Sequence, residues 1–251
     1  MSDILNIFNT FLTHYNNILK NALFETIYMS VFSTLGGFIL GSLIGILLFV
    51  SKKGSLFENK ILYRILDVFV NIFRSFPFLV LIIALIPFTK FLIGKSIGTN
   101  AIIVPLTIGI APFIAKLIQE AFNNVDYSII EAAKSYGANR FQIIFKIILN
   151  ESLPAICSAL TLTLIIVIGY SAMAGIVGAG GLGDVAIRFG YQRFKTDVMI
   201  ETVIVLIILV QFVQLVGDVV LKSLNKGKNK AFYIYILALI LLTIFSYFKL
   251  N

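Results

Sequence analysis

Residues 128–154 read SIIEAAKSYGANRFQIIFKIILNESLP and lie between two uncharged runs, 101–119 (apart from a lysine near its end) and 155–178. Each run is near the ~20 residues that a helix needs to cross a bilayer, so the quoted stretch is a polar insertion between two predicted spans. It makes up most of residues 120–153, the only extended polar segment between spans. Its chemistry predicts two short helices. Ser128 and Glu131 have the spacing of a capping box at the start of the first, Gly137 supplies the left-handed residue that ends it, and Asn139 with Gln142 caps the second. Ile143, Ile144, Ile147 and Ile148 give that second helix one apolar face. The expected product is a rigid knob facing the cytoplasm, of a kind that transmits force.

Composition agrees with a chain built around spans. Of 251 residues, 59% are hydrophobic and 13% charged, whereas a soluble domain is about one quarter charged. With a mean hydropathy of +0.99, the fold class is all-α, a polytopic membrane helical bundle. Collagen, coiled coil, disulfide scaffold and disordered tail are excluded. The net charge of +8 comes from bases in the loops between spans, with no basic stripe and interleaved aromatics, so nucleic acid is not an expected partner. One cysteine, Cys157, excludes an intrachain disulfide and a cysteine metal cluster. Residues 1–21 are polar, carry Lys20 as their only base, and lack the pattern of a cleavable signal.

Six spans are predicted, at 22–49, about 72–93, 101–119, 155–178, 198–221 and 231–248. With the N-terminus outside, twelve Lys and Arg residues fall in cytoplasmic segments and seven outside, leaving Arg74 unassigned; the positive-inside rule favours this orientation. The first span carries Gly37, Gly41 and Gly45 in GFILGSLIG, a small-xxx-small repeat that lets another backbone approach closely. Packing within the subunit is favoured over an intersubunit face. Residues 61–93 make about 50 Å of helix, too long for a ~30 Å hydrocarbon core. Arg64, Asp67, Asn71 and Arg74 share one face of the first half, which reads as an amphipathic helix at the cytoplasmic boundary until Pro77 bends the chain into the membrane. Arg74 reads as a boundary residue, with a water-filled path as the alternative.

The organisation is therefore an N-terminal polar segment 1–21, a transmembrane domain 22–221 that includes the cytoplasmic loop at about 120–153, and a tail 222–251. In the tail, AFYIYILALILLTIFSYF at 231–248 is flanked by Tyr233, Tyr235, Tyr247 and Lys249 and preceded by Lys222, Lys226, Lys228 and Lys230. About 27 Å of helix with interfacial anchors predicts a sixth span carrying Asn251 outside. Lying flat is disfavoured, because the segment lacks a charged face.

EAAKSYG, with Glu131, Ala132, Ala133 and Gly137 followed by Ile147 and Leu149, resembles the EAA loop of ABC-importer permeases. NIFRSFPF at 71–78, IVPLTIGIAPFIAK at 103–116, GYSAMAGIVGAGGLGD at 169–184 and VQLVGD at 213–218 are similar to the methionine-type permeases. The likeness runs from about residue 20 to about residue 225. It implies a five-span type I ABC importer permease core, to which 231–248 is an addition. It further implies a homodimer in the cell (inner) membrane, two copies of a separate ATP-binding subunit docked on Glu131 to Gly137, an extracytoplasmic methionine-binding protein, and methionine as cargo. ATP and magnesium then belong to the partner ATPase, and this chain is a non-catalytic subunit with no cofactor of its own. One departure is Asn150 where the family usually has proline, with Pro154 four residues later; Asn150 or Ser152 is expected to cap the next span.

For the substrate pathway, Tyr170, Ser171 and Met173 interrupt the fourth span with a polar pair and a pliable thioether; simple helix packing is the alternative. GAGGLG at 178–183, with Asp197 some way on, matches a dinucleotide fingerprint in letters only, because a full span and not a short strand precedes it. No phosphate-binding G-x-x-x-x-G-K-[ST] exists, so ATP hydrolysis by this chain is not expected. His14 is the lone histidine and no nucleophile–base set is visible. Three rival readings stand beside the importer. An ion-coupled secondary transporter needs intramembrane carboxylates, yet Glu25, Asp67, Glu201 and Asp218 all fall near span ends. An ABC permease for a different small solute differs only in cargo. A non-transporting scaffold leaves the knob without a purpose.

Overall fold

The protein is described here by a computed structural model covering residue 11 and residues 13–250, with the backbone alone at 16 and 17. Most of the predicted polar segment 1–21, and Asn251, lie outside the described residues. Among the described residues every regular element is a helix. A wide turn at Tyr15–Leu19 leads into α1, Lys20–Ser51. α2, Lys60–Ser75, starts where the Asn59 side chain accepts the Leu62 N–H at 3.0 Å. It stops at Phe76, whose extended backbone precedes Pro77, and α3, Phe78–Ile93, leaves at 108°. This is the bend expected at Pro77, since proline excludes the helical region for the residue before it.

α4, Thr99–Asn123, is followed by a nine-residue helix, α5, Tyr127–Ser135. α6 runs from Arg140 to Val177 without interruption. α7, Gly181–Val185, continues through a wide turn at Ala186–Tyr191, and α8, Thr196–Leu224, and α9, Lys230–Leu250, complete the chain. Among the described residues five helices, α1, α4, α6, α8 and α9, are long and apolar enough to cross a membrane, and there are six such spans if the bent α2–α3 pair counts as one.

The largest helix contact pairs α1 with α4. Gly37, Gly41 and Gly45 face α4 so closely that a methyl group on Gly41 or on Gly45 would sit 2.6 Å from the carbonyl oxygen of Ala111 or of Ala115. The repeat therefore packs within the subunit. The opposite flank, with Ile39, Leu40 and Leu43, is exposed.

The bundle has two distinguishable ends. The turn after α1, the helix α5 and the turn between α8 and α9 lie at one, which we call the knob end. The 94–98 and 178–195 segments lie at the other. α9 runs antiparallel to α1: near its start the Tyr235 hydroxyl lies 3.3 Å from Thr161 Oγ1 on α6, and near its end Phe245 and Tyr247 pack on Phe24 and Tyr28 of α1. Phe232, Tyr235 and Leu239 are buried, so α9 is an integral wall of the bundle.

One expectation is corrected. Neither Asn150 nor Ser152 caps a new span: Asn150 Nδ2 donates to the Lys146 carbonyl at 2.7 Å and Ser152 Oγ to that of Leu149 at 3.1 Å. Both bonds fold back onto the preceding turn of a helix that keeps helical dihedrals through Ile148 and Leu149. The second knob helix and the fourth span are thus one body.

Gly41→Ala is expected to destabilise the bundle by roughly 1–3 kcal/mol, the usual range for overpacking, seen as a lowered thermal midpoint in detergent. Leu40→Val on the exposed flank is expected to leave the midpoint unchanged; equal midpoints for both variants would refute the contact's importance.

Candidate coupling knob and translocation face

α5 begins with Asp126, whose carboxylate accepts the Ser128 N–H at 2.9 Å. The expected capping box is corrected here: Ser128 lies inside the helix, and the cap is Asp126 two residues earlier. An aspartate cap satisfies an orphan amide and meets the positive end of the helix dipole. The backbone N–H of Ser128, and then its hydroxyl, hold the Asp126 carboxyl below its ordinary value of 3.8. Because the folded value is depressed, this contribution is present at neutral pH and is lost only as pH falls through that lowered value.

At the other end of α5, Gly137 has φ +79°. The Ala138 N–H returns to the Ala133 carbonyl at 3.0 Å and the Gly137 N–H to that of Lys134 at 2.9 Å, a left-handed glycine stop. Asn139 and Gln142 form the expected reciprocal box, each bond 2.9 Å.

The knob is seated firmly. Ile130 and Ala133 on its underside are buried in the same apolar cluster as Phe49 of α1, Phe122 of α4 and Ile143, Ile144 and Ile148 of α6; Phe49 and Phe122 meet edge to face at 5.4 Å. The upper side is open. Glu131, Ala132 and Gly137 are exposed, Ala133 is not, and Tyr136 is 92% exposed beside Gly137. Phe141 is exposed too and packs on Phe57, over which Arg140 also sits at 5.2 Å. Exposed aromatic side chains flanked by charge therefore make up the open side of the knob. Tyr136 was within reach of a sequence reading, since it sits inside the knob motif. Phe57 was not, because only the fold brings the turn after α1 to the knob.

Tyr170, Ser171 and Met173 separate around α6. Tyr170 stacks flat on Phe78 of α3, ring centres 4.0 Å apart, and borders a cleft of about 140 Å³ with Arg74, Gly109 and Phe113. Arg74 lies over the Phe113 ring at 5.9 Å. Met173 is exposed on the same side of α6 as Gly169 and Ile176. Ser171 is buried on another side, donates to the Ile168 carbonyl at 2.7 Å, and lies 3.5 Å from Ser30 of α1. A tight hydroxyl of this kind ties helices together.

At the opposite end the glycine loop is held by α1. Glu25 accepts the Gly181 N–H at 2.6 Å and Thr26 Oγ1 the Leu182 N–H at 2.8 Å. The amides that a nucleotide phosphate would need at the start of α7 are thus taken by a carboxylate and a hydroxyl. The four acids near span ends are also engaged: Glu25 as above, Asp67 by Lys116 at 2.5 Å, Glu201 by His14 at 2.9 Å, and Asp218 by Gln214 at 2.9 Å.

Comparison with known proteins fits this geometry. Residues 37–230 match the family described as "Binding-protein-dependent transport system inner membrane component". The protein of Vibrio cholerae named "Probable D-methionine transport system permease protein MetI" is 48% identical over 210 residues, 84% of this chain and 93% of that one. The methionine import system permease protein MetP of Bacillus subtilis is 46% identical, covering 83% and 94%. Among solved structures, an inward-facing form of the MetNI methionine ABC transporter is similar with a TM-score of 0.81 and 42% identity over 82% of this chain and 96% of that one. A multi-helix membrane chain with this knob, matched over most of its length, belongs to the binding-protein-dependent transport system inner membrane component family.

Proposed function

We propose that this chain is the membrane-spanning subunit of an ATP-driven importer of methionine, working as a homodimer with two copies of a separate ATP-binding subunit and an extracytoplasmic binding protein, in the cell membrane. The observation that carries the reading is the seated knob: one side exposed, the other buried against the ends of three spans. ATP hydrolysis belongs to the partner, with its ATP and magnesium; this chain supplies the lever and the path.

The geometry supports a simple mechanism. When the ATP-binding subunits close, the exposed side of α5 around Glu131, Ala132 and Gly137 moves with them. Ile130 and Ala133 press that displacement onto α1, α4 and α6. Because α6 is continuous from Arg140 into the span, the knob shifts Tyr170 and Met173 as parts of the same rod. A switch between two states requires a partner that contacts them differently, and the knob is the surface on which ATP binding makes that difference. Engagement of Glu25, Asp67, Glu201 and Asp218 by structural partners favours ATP over an ion gradient as the driving force.

Uptake of radiolabelled methionine into proteoliposomes holding the chain, its ATP-binding subunit and the binding protein is expected to require ATP and to persist without a membrane potential. In the same assay Tyr170→Ala and Met173→Ala are expected to lower uptake severalfold with basal ATPase activity retained. Potential-driven uptake without ATP would sink the reading, and uptake of another solute with none of methionine would leave the importer and sink the cargo.

Gly137 offers a sharper test, because nothing lies within 4 Å of the place where its Cβ would stand. The penalty of substitution is purely conformational, about 1–2 kcal/mol for an ordinary residue in the left-handed region. Gly137→Val is therefore expected to abolish coupled uptake, while Gly137→Asn, which tolerates that region, retains most of it. Equal uptake by the two variants would exclude the glycine stop as the reason.

We also propose that α9 crosses the membrane and carries the C-terminus to the side opposite the knob. A phosphatase fused after residue 251 is expected to be active, and a fluorescent cytoplasmic reporter at that position to be dark; the reverse result would place the tail inside.

A further inference from the structure

A cleft of about 310 Å³ enters the bundle between α1, α6, α8 and α9. Its walls include Val31, Ile168, Leu209, Phe212, Leu239 and Leu242, and it meets only two hydroxyl-bearing side chains, Ser30 and Tyr235. Both hydroxyls are already placed, Ser30 beside Ser171 and Tyr235 beside Thr161. Nothing in the cleft can hold the charged ends of an amino acid, so it is not a cargo site. Phe212 is 62% exposed, and through it the cleft opens on the outer surface of the bundle. An apolar cavity of this size does not hold water stably, because water needs polar partners, and left empty its walls lose their dispersion contacts. In a bilayer the neighbouring hydrocarbon is lipid.

A second observation says which lipid. The turn that joins α8 to α9, with the helix ends on either side of it, carries Lys222, Lys226, Lys228 and Lys230, all exposed and, among the described residues, without a carboxylate partner. The turn lies beyond the knob-side end of the cleft. From Val216 to Lys222 is about 9 Å along α8, and from Lys230 to Tyr235 about 7.5 Å along α9, at the helical rise. The headgroup layer of a bilayer is about 5–8 Å deep on each side of the hydrocarbon. An acyl chain in the cleft thus brings its phosphate to the level of four unpaired ammonium groups.

We propose that the α8–α9 cleft is a binding site for an anionic phospholipid, with one acyl chain against Leu209, Phe212, Leu239 and Leu242 and the headgroup phosphate held by the lysines of the turn. Juxtamembrane lysine clusters attract anionic lipid, and here the cluster stands at the mouth of a preformed hydrocarbon slot. The lipid completes the wall between α8 and α9, which pack on each other far less than α9 packs on α1.

The chain contains no tryptophan, which allows a direct test. Phe212→Trp and Leu242→Trp place single reporters on two walls of the cleft, and Leu215→Trp places one on the exposed outer face of α8. Each full-length variant is reconstituted in phosphatidylcholine bilayers in which a fixed fraction of lipid is either brominated phosphatidylglycerol or brominated phosphatidylcholine. Quenching at 212 and 242 is expected to favour the anionic lipid by about threefold or more, falling as salt rises, with little preference at 215. Replacing the four lysines by glutamine is expected to remove the preference and keep the quenching. Equal quenching by both lipids at 212 and 242, or a preference that survives the lysine replacement, would overturn the headgroup assignment. No quenching at either position would show the wall covered by protein and overturn the site.

Discussion

The contact between α1 and α4 is the constraint on which the remaining geometry hangs. Inside a bilayer, apolar side chains gain nothing by leaving lipid for one another, so helices associate where their backbones approach closely. Gly37, Gly41 and Gly45 make that approach possible, and the carbonyls of Ala111 and Ala115 occupy the space that side chains would have filled. With α1 and α4 locked, their knob-side ends carry Phe49 and Phe122 into edge-to-face contact, and this is the seat of α5. The far end of the same α1 offers Glu25 and Thr26 to the amides of Gly181 and Leu182. One rod therefore touches both the seat of α5, the surface proposed to take up force, and the glycine loop at the opposite end of the bundle.

The proposed force transmission needs stiffness in the second rod as well. α6 passes from the base of the knob to Val177 with no break at Asn150 or Pro154. A proline directly after Leu149 is what the resemblance implied; asparagine there donates to the Lys146 carbonyl and keeps the helical backbone. Tyr170 is then mechanically tied to Gln142 through one helix, and its flat stack on Phe78 passes any shift to α3 beyond the Pro77 bend. Ser171 works differently from its neighbours. Its buried hydroxyl lies beside Ser30 and joins the two rods toward the end away from the knob.

Charge is distributed with the same economy. Asp67 with Lys116 and Asn71 ties the amphipathic α2 to α4, while Arg74 at the end of α2 stays exposed near the Phe113 ring. The lysines of the α8–α9 turn have no acid to meet within the described chain. An unpaired cation beside hydrocarbon is stable where an anionic headgroup can reach it.

Periodicity and composition determined a good deal on their own. Long uncharged runs specify helices in lipid because every backbone polar group must be satisfied within its own segment, so the spans, the bend at Pro77 and the glycine face of α1 were all legible, as was the left-handed stop at Gly137. What needed the fold were relations between distant segments. Asp126 caps α5 because the chain exits α4 two residues earlier, a matter of backbone direction that the spacing of Ser128 and Glu131 does not encode. Phe57 joins the knob, Glu25 holds Gly181, and Ser171 turns to Ser30 while Met173 stays exposed, although all three letters of the 170–173 cluster looked alike as interruptions of an apolar run. A helical sequence says which residues share a face; only the packing of other helices decides which of those faces is closed and which remains open.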